Sequence, residues 1–335
     1  MGAFGLNASI MDASNLAWKI GLIARSRAKL ASLAPTYDRE RRLFAQRIIK
    51  VSGSYLRFVC NSYLPLANLE ETQGGAKSTY KEPPPPDGTP EGDLKFLGAF
   101  FGAQDKFLLG LDAPYEESVI NPGEDVERVV SVKNGVRAPN PRVCFDVGST
   151  GYLYDKMTGA SVFHIIVFGS DLQGPVRDGL VSFSTALGPD GFFTRFGGRE
   201  MFNVVLVTKC LPFETTELLS GDDLAHLREH ATVVYDDRAP DEDAHYWYGV
   251  NHAKGAVVVV RPDLWVGMST SPKNVQEVGK YFEGFLIPVP TKNEVGGAKC
   301  MEIKDVNGVK GEGGVLGETN GVDWMNGGKG ISVAA

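Results

Sequence analysis

GAVVVVRPDLWVGM, residues 255–268, carries the strongest strand signal in the chain, and the fold can be worked out from it. The run Ala256-Val257-Val258-Val259-Val260 suits a pleated surface covered on both sides, where β-branched side chains pack well. Arg261-Pro262-Asp263 turns the chain, and Leu264-Trp265-Val266-Gly267-Met268 resumes the apolar pattern, so the two runs read as an antiparallel hairpin. Upstream, Phe163 to Phe168 is a buried-strand candidate, followed by a helix over Val176 to Ala186. Asn203 to Val207 and Thr232 to Tyr235 read as two further strands. Between them Ser220 and Asp223 have capping-box spacing and open a short helix through Leu227. A last helix spans about Pro272 to Phe285.

The order β-α-β-α-β, hairpin, α predicts an α/β fold with a mixed sheet and helices on its faces, the plan of a thioredoxin-like domain. Residues 119–160 add strands and turns to that core. The redox dithiol is missing. Cys60, Cys144, Cys210 and Cys300 lie far apart with no C-x-x-C pair, so they read as reduced structural thiols and exclude a thiol oxidoreductase or a zinc ribbon.

Four pieces are expected. Residues 1–65 form two helices, 66–92 a Pro/Gly-rich linker around Pro83 to Pro86, 93–290 the thioredoxin-like domain, and 291–335 a glycine-rich mobile tail. In the first helix Ile10, Ala13, Ala17, Ile20 and Ala24 share one face, with Asn7 as N-cap. Pro35 opens the second, whose stripe is Leu43, Phe44, Ile48 and Val51. Two such helices cannot bury themselves, so either the rest of the chain covers them or a partner does.

With 34 Lys and Arg against 41 Asp and Glu, the net charge of −7 argues against nucleic acid and an adhesive basic membrane face. No apolar window is long enough for a membrane helix, and MGAFGLNASI lacks the basic start and long apolar core of a signal peptide. A cytoplasmic setting is expected.

Gly5, Asn7, Asp12, Ala13, Asn15, Leu16, Trp18 and Lys19 fall in register with G-x-N-x-x-x-x-D-A-x-N-L-x-W-K-L, and residues 2–20 thereby resemble a motif of flavoprotein aromatic hydroxylases. Tyr37 to Arg42 looks like the next helix of that family. Gly135 to Arg142, Phe163 to Phe168, Tyr248-Gly249-Val250 and Val260-Arg261-Pro262-Asp263 resemble the C-terminal domain of its phenol 2-monooxygenase branch. The resemblance implies FAD and NADPH as cofactors, hydroxylation of a phenolic ring, and a dimer. The residues also allow a physical account of the motif. A glycine turn at Gly5 leading into a helix lets the N–H groups of Leu6 and Asn7, with the helix dipole behind them, face the negative end of a reduced flavin.

The family's G-x-G-x-x-G for the FAD pyrophosphate occurs nowhere in these 335 residues; Gly311-Glu312-Gly313 has Leu316 where the third glycine belongs. The chain therefore looks like the C-terminal half of such an enzyme, needing a homodimer mate or a partner that brings the FAD-binding half. The alternative is a non-catalytic thioredoxin-like dimerisation or interaction module. Catalytic residues are not assigned, and no metal is expected: His226 and His230 are four apart but read as a solvated helix face. Gly221-Asp222-Asp223 reads as a helix start, Arg39 to Arg42 as a solvated face, His164 as a core histidine, and His245 to Tyr248 with His252 as a rim of packed aromatics.

Overall fold

The computed structural model describes residues 3–60, 89–108, 115–123, 129–146, 148–236 and 243–290. The linker's proline run, Cys300 and the tail lie outside them. Residues Met1–Val289 form one compact unit and Pro290–Ala335 a second.

Three helices come first: α1 (Ala3–Ala24), α2 (Leu30–Cys60) and α3 (Pro90–Leu108). Next come β1 (Arg142–Asp146), β2 (Ser149–Tyr152), β3 (Phe163–Ser170), α4 (Arg177–Ala186), α5 (Phe192–Arg195) and β4 (Phe202–Thr208). The chain continues through α6 (Pro212–Leu218), α7 (Ala225–His230), β5 (Ala231–Tyr235), α8 (Ala244–Tyr248), β6 (Ala256–Val260), β7 (Val266–Thr270) and α9 (Val275–Phe285).

The seven strands form one sheet in the order β2-β1-β5-β4-β3-β6-β7. β3 runs parallel to β4 and antiparallel to β6, and β6 pairs antiparallel with β7, so the expected hairpin is present. β5 is parallel to β4, and β1 with β2 extends that edge antiparallel. The mixed sheet and connectivity agree with the sequence reading. All eight residues of β3 are buried because both faces of the sheet are covered. Phe163, Ile165 and Val167 face one core with Trp18, Leu22, Leu33, Leu180 and Phe282. Ile166 and Phe168 face the other with Val205, Val258, Tyr248 and Leu153.

The described parts of the first and third pieces thus share a core, which answers what covers the two N-terminal helices. The face of α1 differs from expectation. Ile10 and Ile20 are exposed, whereas Asn15, Trp18, Lys19 and Leu22 are buried, a stripe spaced i, i+3, i+4, i+7. Counting apolar residues alone selected the wrong side, because the buried face includes an amide and an ammonium that find partners across the core. On α2, Phe44 and Val51 are buried and Leu43 and Ile48 half-buried, as expected.

The helix starts also shift. α1 runs through Gly5, so the turn expected there is absent and Asn7 is not an N-cap. No atom lies within 4 Å of where a β-carbon on Gly5 would stand, and Ser9 Oγ donates to the Gly5 carbonyl, so nothing pulls the backbone out of the helix. α1 ends at Ala24, and Ser26 just beyond it takes a left-handed φ of 54°. α2 begins at Leu30 with Pro35 inside it rather than at its start. Ser220 forms no capping box: its hydroxyl donates to Glu217 O, and Asp223 binds Arg177 instead. Helix α3 escaped the sequence reading although Pro90, Glu91 and Asp93 mark its first turn. Its Phe96, Phe100 and Phe107 pack on Phe44 and Val51 of α2.

Phe282 is fully buried, with ring centroids 4.7 Å from Phe202, 5.3 Å from Phe163 and 5.9 Å from Phe192. Phe282→Ala is expected to cost about 3–5 kcal/mol in chemical denaturation, with Trp18 fluorescence reporting the same midpoint as far-UV circular dichroism because α1 shares this core.

Candidate functional site

Asn15, Trp18 and Lys19 of the motif on α1 converge on the corner between β6 and β7. Arg261, wholly buried, uses all five guanidinium N–H donors. Its Nε donates to Asp263 Oδ1 at 3.0 Å. One terminal nitrogen donates to Glu40 Oε1 at 2.5 Å and to Asn121 Oδ1 at 2.9 Å. The other donates to Glu40 Oε2 at 3.1 Å and to Asp263 Oδ2 at 2.5 Å. From α1, Lys19 Nζ donates to Glu40 Oε2 at 2.8 Å, and Asn15 Nδ2 donates to the same oxygen at 2.7 Å. Trp18 Nε1 donates to Asp263 Oδ2 at 3.1 Å. Beside this group Arg41 binds Asp12 and donates to Tyr115 Oη at 3.2 Å.

Two cations, Arg261 and Lys19, here face two carboxylates, Glu40 and Asp263, so the buried charge balances. Such a group holds only when every donor and acceptor is met, and its geometry fixes how α1 and α2 lie on the sheet. The corner itself suits the task. Leu264 takes a φ of 68° and its N–H returns to Arg261 O, which closes the turn that brings Arg261 and Asp263 together.

Burial alone would raise the Glu40 carboxyl, but Arg261, Lys19 and the hydrogen bonds outweigh it and hold the pKa at about 2. Burial brings the Lys19 ammonium down to about 8 against the pull of Glu40. His164 is lowered to about 4 by burial, and its Nδ1 lies 3.3 Å from the Asn203 amide.

The sequence reading treated Arg261-Pro262-Asp263 as a turn and a family match, with no buried ion pair, and Arg39 to Arg42 as a solvated face. Arg39 and Arg42 are exposed, but Glu40 and Arg41 are buried, a correction forced by the clamp. The available signal was the polar pair Asn15 and Lys19 at i, i+4 beside Trp18, a spacing that puts all three on one face.

Gly5, Leu6 and Asn7 stand apart from the clamp, at the other end of α1. Helical geometry commits the N–H group of Asn7 to the Ala3 carbonyl one turn earlier, so it is not a free donor. His245 and Tyr248 are buried while Tyr246 and Trp247 are exposed, and His252, exposed, stacks on His245 with centroids 5.0 Å apart, so the expected aromatic rim packs only in part. His245 Nδ1 lies 2.5 Å from Asp236 Oδ2, and that carboxylate also accepts from the N–H groups of Ala244 and His245. Asp236 is thereby a filled cap on α8. Lys209 binds Asp243 at 2.6 Å beside it. Cys144 and Cys210 are half-buried and Cys60 exposed, all as free thiols; burial pushes the Cys210 thiol up, away from reactivity. Among the described residues, no helix is long and apolar enough to cross a membrane.

The segment that contains the β6–β7 corner has a family counterpart. Residues 113–290 match the family model described as phenol hydroxylase, C-terminal dimerisation domain. The chain belongs to that family. Residues 1–52 match an FAD binding domain model. An FAD-dependent monooxygenase from Aspergillus terreus (strain NIH 2624 / FGSC A1156) is 55% identical over 300 residues, covering 88% of this chain and 42% of the relative. Phenol 2-monooxygenase fsqG from Aspergillus fumigatus (strain ATCC MYA-4609 / CBS 101355 / FGSC A1100 / Af293) is 23% identical, covering 84% and 44% respectively. A solved ternary complex of aklavinone-11 hydroxylase with FAD and aklavinone aligns with a TM-score of 0.45 at 18% identity, over 85% of this chain and 41% of that one. The chain spans less than half the length of the curated relatives it matches. The clamp joins the two matched segments: Asn15, Trp18, Lys19 and Glu40 belong to the first, Asn121, Arg261 and Asp263 to the second.

The titrating groups give the clamp a pH signature. Unfolded Glu40 takes its proton near 4.5 and folded Glu40 near 2, so its stabilisation, about 3 kcal/mol, is complete above 4.5 and is lost as pH falls toward 2. His164 steepens the acid limb, because between 6.5 and about 4 the unfolded state binds the proton that the folded state refuses. Lys19 gives a slope of the same sign at the alkaline end. Between about 8 and 10.5 the unfolded chain keeps a proton that the folded one has lost, so stability rises with pH across that window. Denaturant midpoints measured across pH are expected to show both limbs. Glu40→Gln flattens the slope below 4.5, Lys19→Met abolishes the alkaline rise, and Arg261→Met, which strands two buried carboxylates, costs about 3–5 kcal/mol at neutral pH.

Proposed function

We propose that this chain is the carboxyl-terminal part of an FAD- and NADPH-dependent monooxygenase that hydroxylates a phenolic aromatic ring, and that it acts only with an FAD-binding half. The observation that supports this reading is the clamp. The residues that match the hydroxylase motif on α1 are bonded to those of the dimerisation-domain segment, so the pieces fit as parts of one enzyme rather than as a chance fusion. The division into pieces 1–65, 66–92, 93–290 and 291–335 belongs to the same proposal, as a statement of origin.

The described residues do not themselves make a flavin site. The N–H group of Asn7 is used within α1, and no G-x-G-x-x-G turn for a pyrophosphate occurs in the sequence. There is open space around Gly5, and α1 has no acidic residue in its first turn to oppose an anion. Gly5, Leu6 and Asn7 would therefore face the cofactor only where the FAD-binding half ends the helix ahead of Asn7 and forms the turn. No chemical step is assigned to this chain alone.

A second reading, a dimerisation or interaction module, draws on the exposed Leu6 and Ile10 of α1 and Leu94 and Phe101 of α3. Either role leaves apolar helix surface for a homodimer mate or for the FAD-binding half. A cytosolic setting suits the free thiols.

The purified chain mixed with FAD is expected to retain no flavin absorbance after gel filtration. Co-expressed with an FAD-binding half carrying G-x-G-x-x-G, it should retain flavin and oxidise NADPH faster when a phenol is added. Stoichiometric flavin on the chain alone would remove the need for a second half. A co-purifying pair that holds no flavin would favour the interaction module.

A further inference from the structure

Outside the clamp, helix α7 gathers three metal-ligating side chains. Its sequence, Ala225-His226-Leu227-Arg228-Glu229-His230, places two imidazoles one helical turn apart with a carboxylate between them. One ligand atom from each of His226, Glu229 and His230 lies within 4.8 Å of the other two, close enough to converge on a single ion. The sequence reading took the two histidines for a solvated helix face; Glu229 supplies a third ligand atom beside them.

Both rings are held by packing. The His230 ring lies against Phe193, centroids 4.6 Å apart. The His226 ring rests over Gly188, where a β-carbon would come within 2.9 Å of Nε2. The two imidazoles are nearly parallel, 7° apart in plane and 6.4 Å between centroids. A cation already attends the group: Arg199 Nε donates to His230 Nδ1 at 3.3 Å, and its terminal nitrogen donates to Glu229 O.

We infer that His226, Glu229 and His230 form a binding site for one divalent late transition cation of the zinc class, for which Arg199 is the resident competitor. Two imidazole nitrogens and one carboxylate suit such an ion and disfavour magnesium or calcium, which prefer all-oxygen shells. Three protein ligands leave a coordination position for water. Binding exchanges metal-bound waters for the three side chains, and no proton leaves His230 Nδ1, which accepts from Arg199 and carries none; Arg199 moves off His230 as the ion enters. The other mixed cluster, Asp236, Asp243 and His245, does not offer this, because backbone N–H groups, His245 and Lys209 already occupy its carboxylates.

The site can be tested on the full 335-residue chain, freed of metal with a chelator and titrated with Zn2+ by calorimetry. A single equivalent is expected, weakened roughly tenfold or more in His226→Ala and in His230→Ala, and less in Glu229→Gln. Arg199→Ala should bind more tightly than the native chain, an outcome that a merely structural role for these residues would not produce. With Cu2+ as probe, electron paramagnetic resonance should show coupling to two nitrogens that falls to one in His226→Ala. His226→Gln serves where the alanine variant fails to fold by circular dichroism. Zn2+ binding unchanged in both histidine variants would overturn the assignment, and so would its absence from both the native chain and Arg199→Ala.

Discussion

The guanidinium of Arg261 is the constraint on which the rest of this molecule depends. It sits with no access to water at the corner of the β6–β7 hairpin, between Glu40 of α2 and Asp263 of its own turn. An ion in that position must have every donor met, because an unmatched charge in a low-dielectric interior costs more than most single contacts return. The requirement is met by importing side chains from both N-terminal helices and from the segment before the sheet. The helices are consequently not an appendage of the α/β domain. They complete its electrostatics, and their apolar residues Trp18, Leu22 and Leu33 complete its core.

This arrangement gives the hydroxylase motif a physical meaning that its resemblance alone does not. Asn15, Trp18 and Lys19 face the hairpin corner and serve attachment. The amino end of the same helix, where Gly5 lies, is the end left without such partners and carries the exposed Leu6 and Ile10. The two ends of one helix therefore differ: one is fixed by ion pairs to the sheet, and the other exposes apolar side chains. Family membership agrees with the division, since the two matched segments meet at the clamp.

Much of the α/β core was legible because its signals are local. Valine runs between turn residues mark β6, and Phe163 to Phe168 marks β3, since only a strand covered on both faces tolerates such uninterrupted burial. The clamp was hidden for the opposite reason. Arg261 and Asp263 are charged residues at a turn, which a solvent-exposed loop would equally carry, and Glu40 and Arg41 sit in a run of charges that looks solvated. Nothing local distinguishes a buried ion pair from an exposed one, because its partners lie more than two hundred residues away, as Glu40 does from Arg261. Ile10 and Ile20 misled for a related reason: an apolar stripe predicts burial only if a surface is present to cover it.

By itself the sequence determined the class of fold, the strand and helix periods, the absence of a dithiol and of a glycine-rich nucleotide turn, and the kinship of two separated segments. These depend on residue type and short spacing, which need no third dimension to read. The tertiary structure alone decided which face of α1 is inside, where α1 and α2 begin, and that Asn15, Lys19, Glu40, Asn121, Arg261 and Asp263 form one charge-balanced group. Those outcomes follow from desolvation: a polar side chain goes inward only where distant partners meet it, and their meeting is a property of the folded chain.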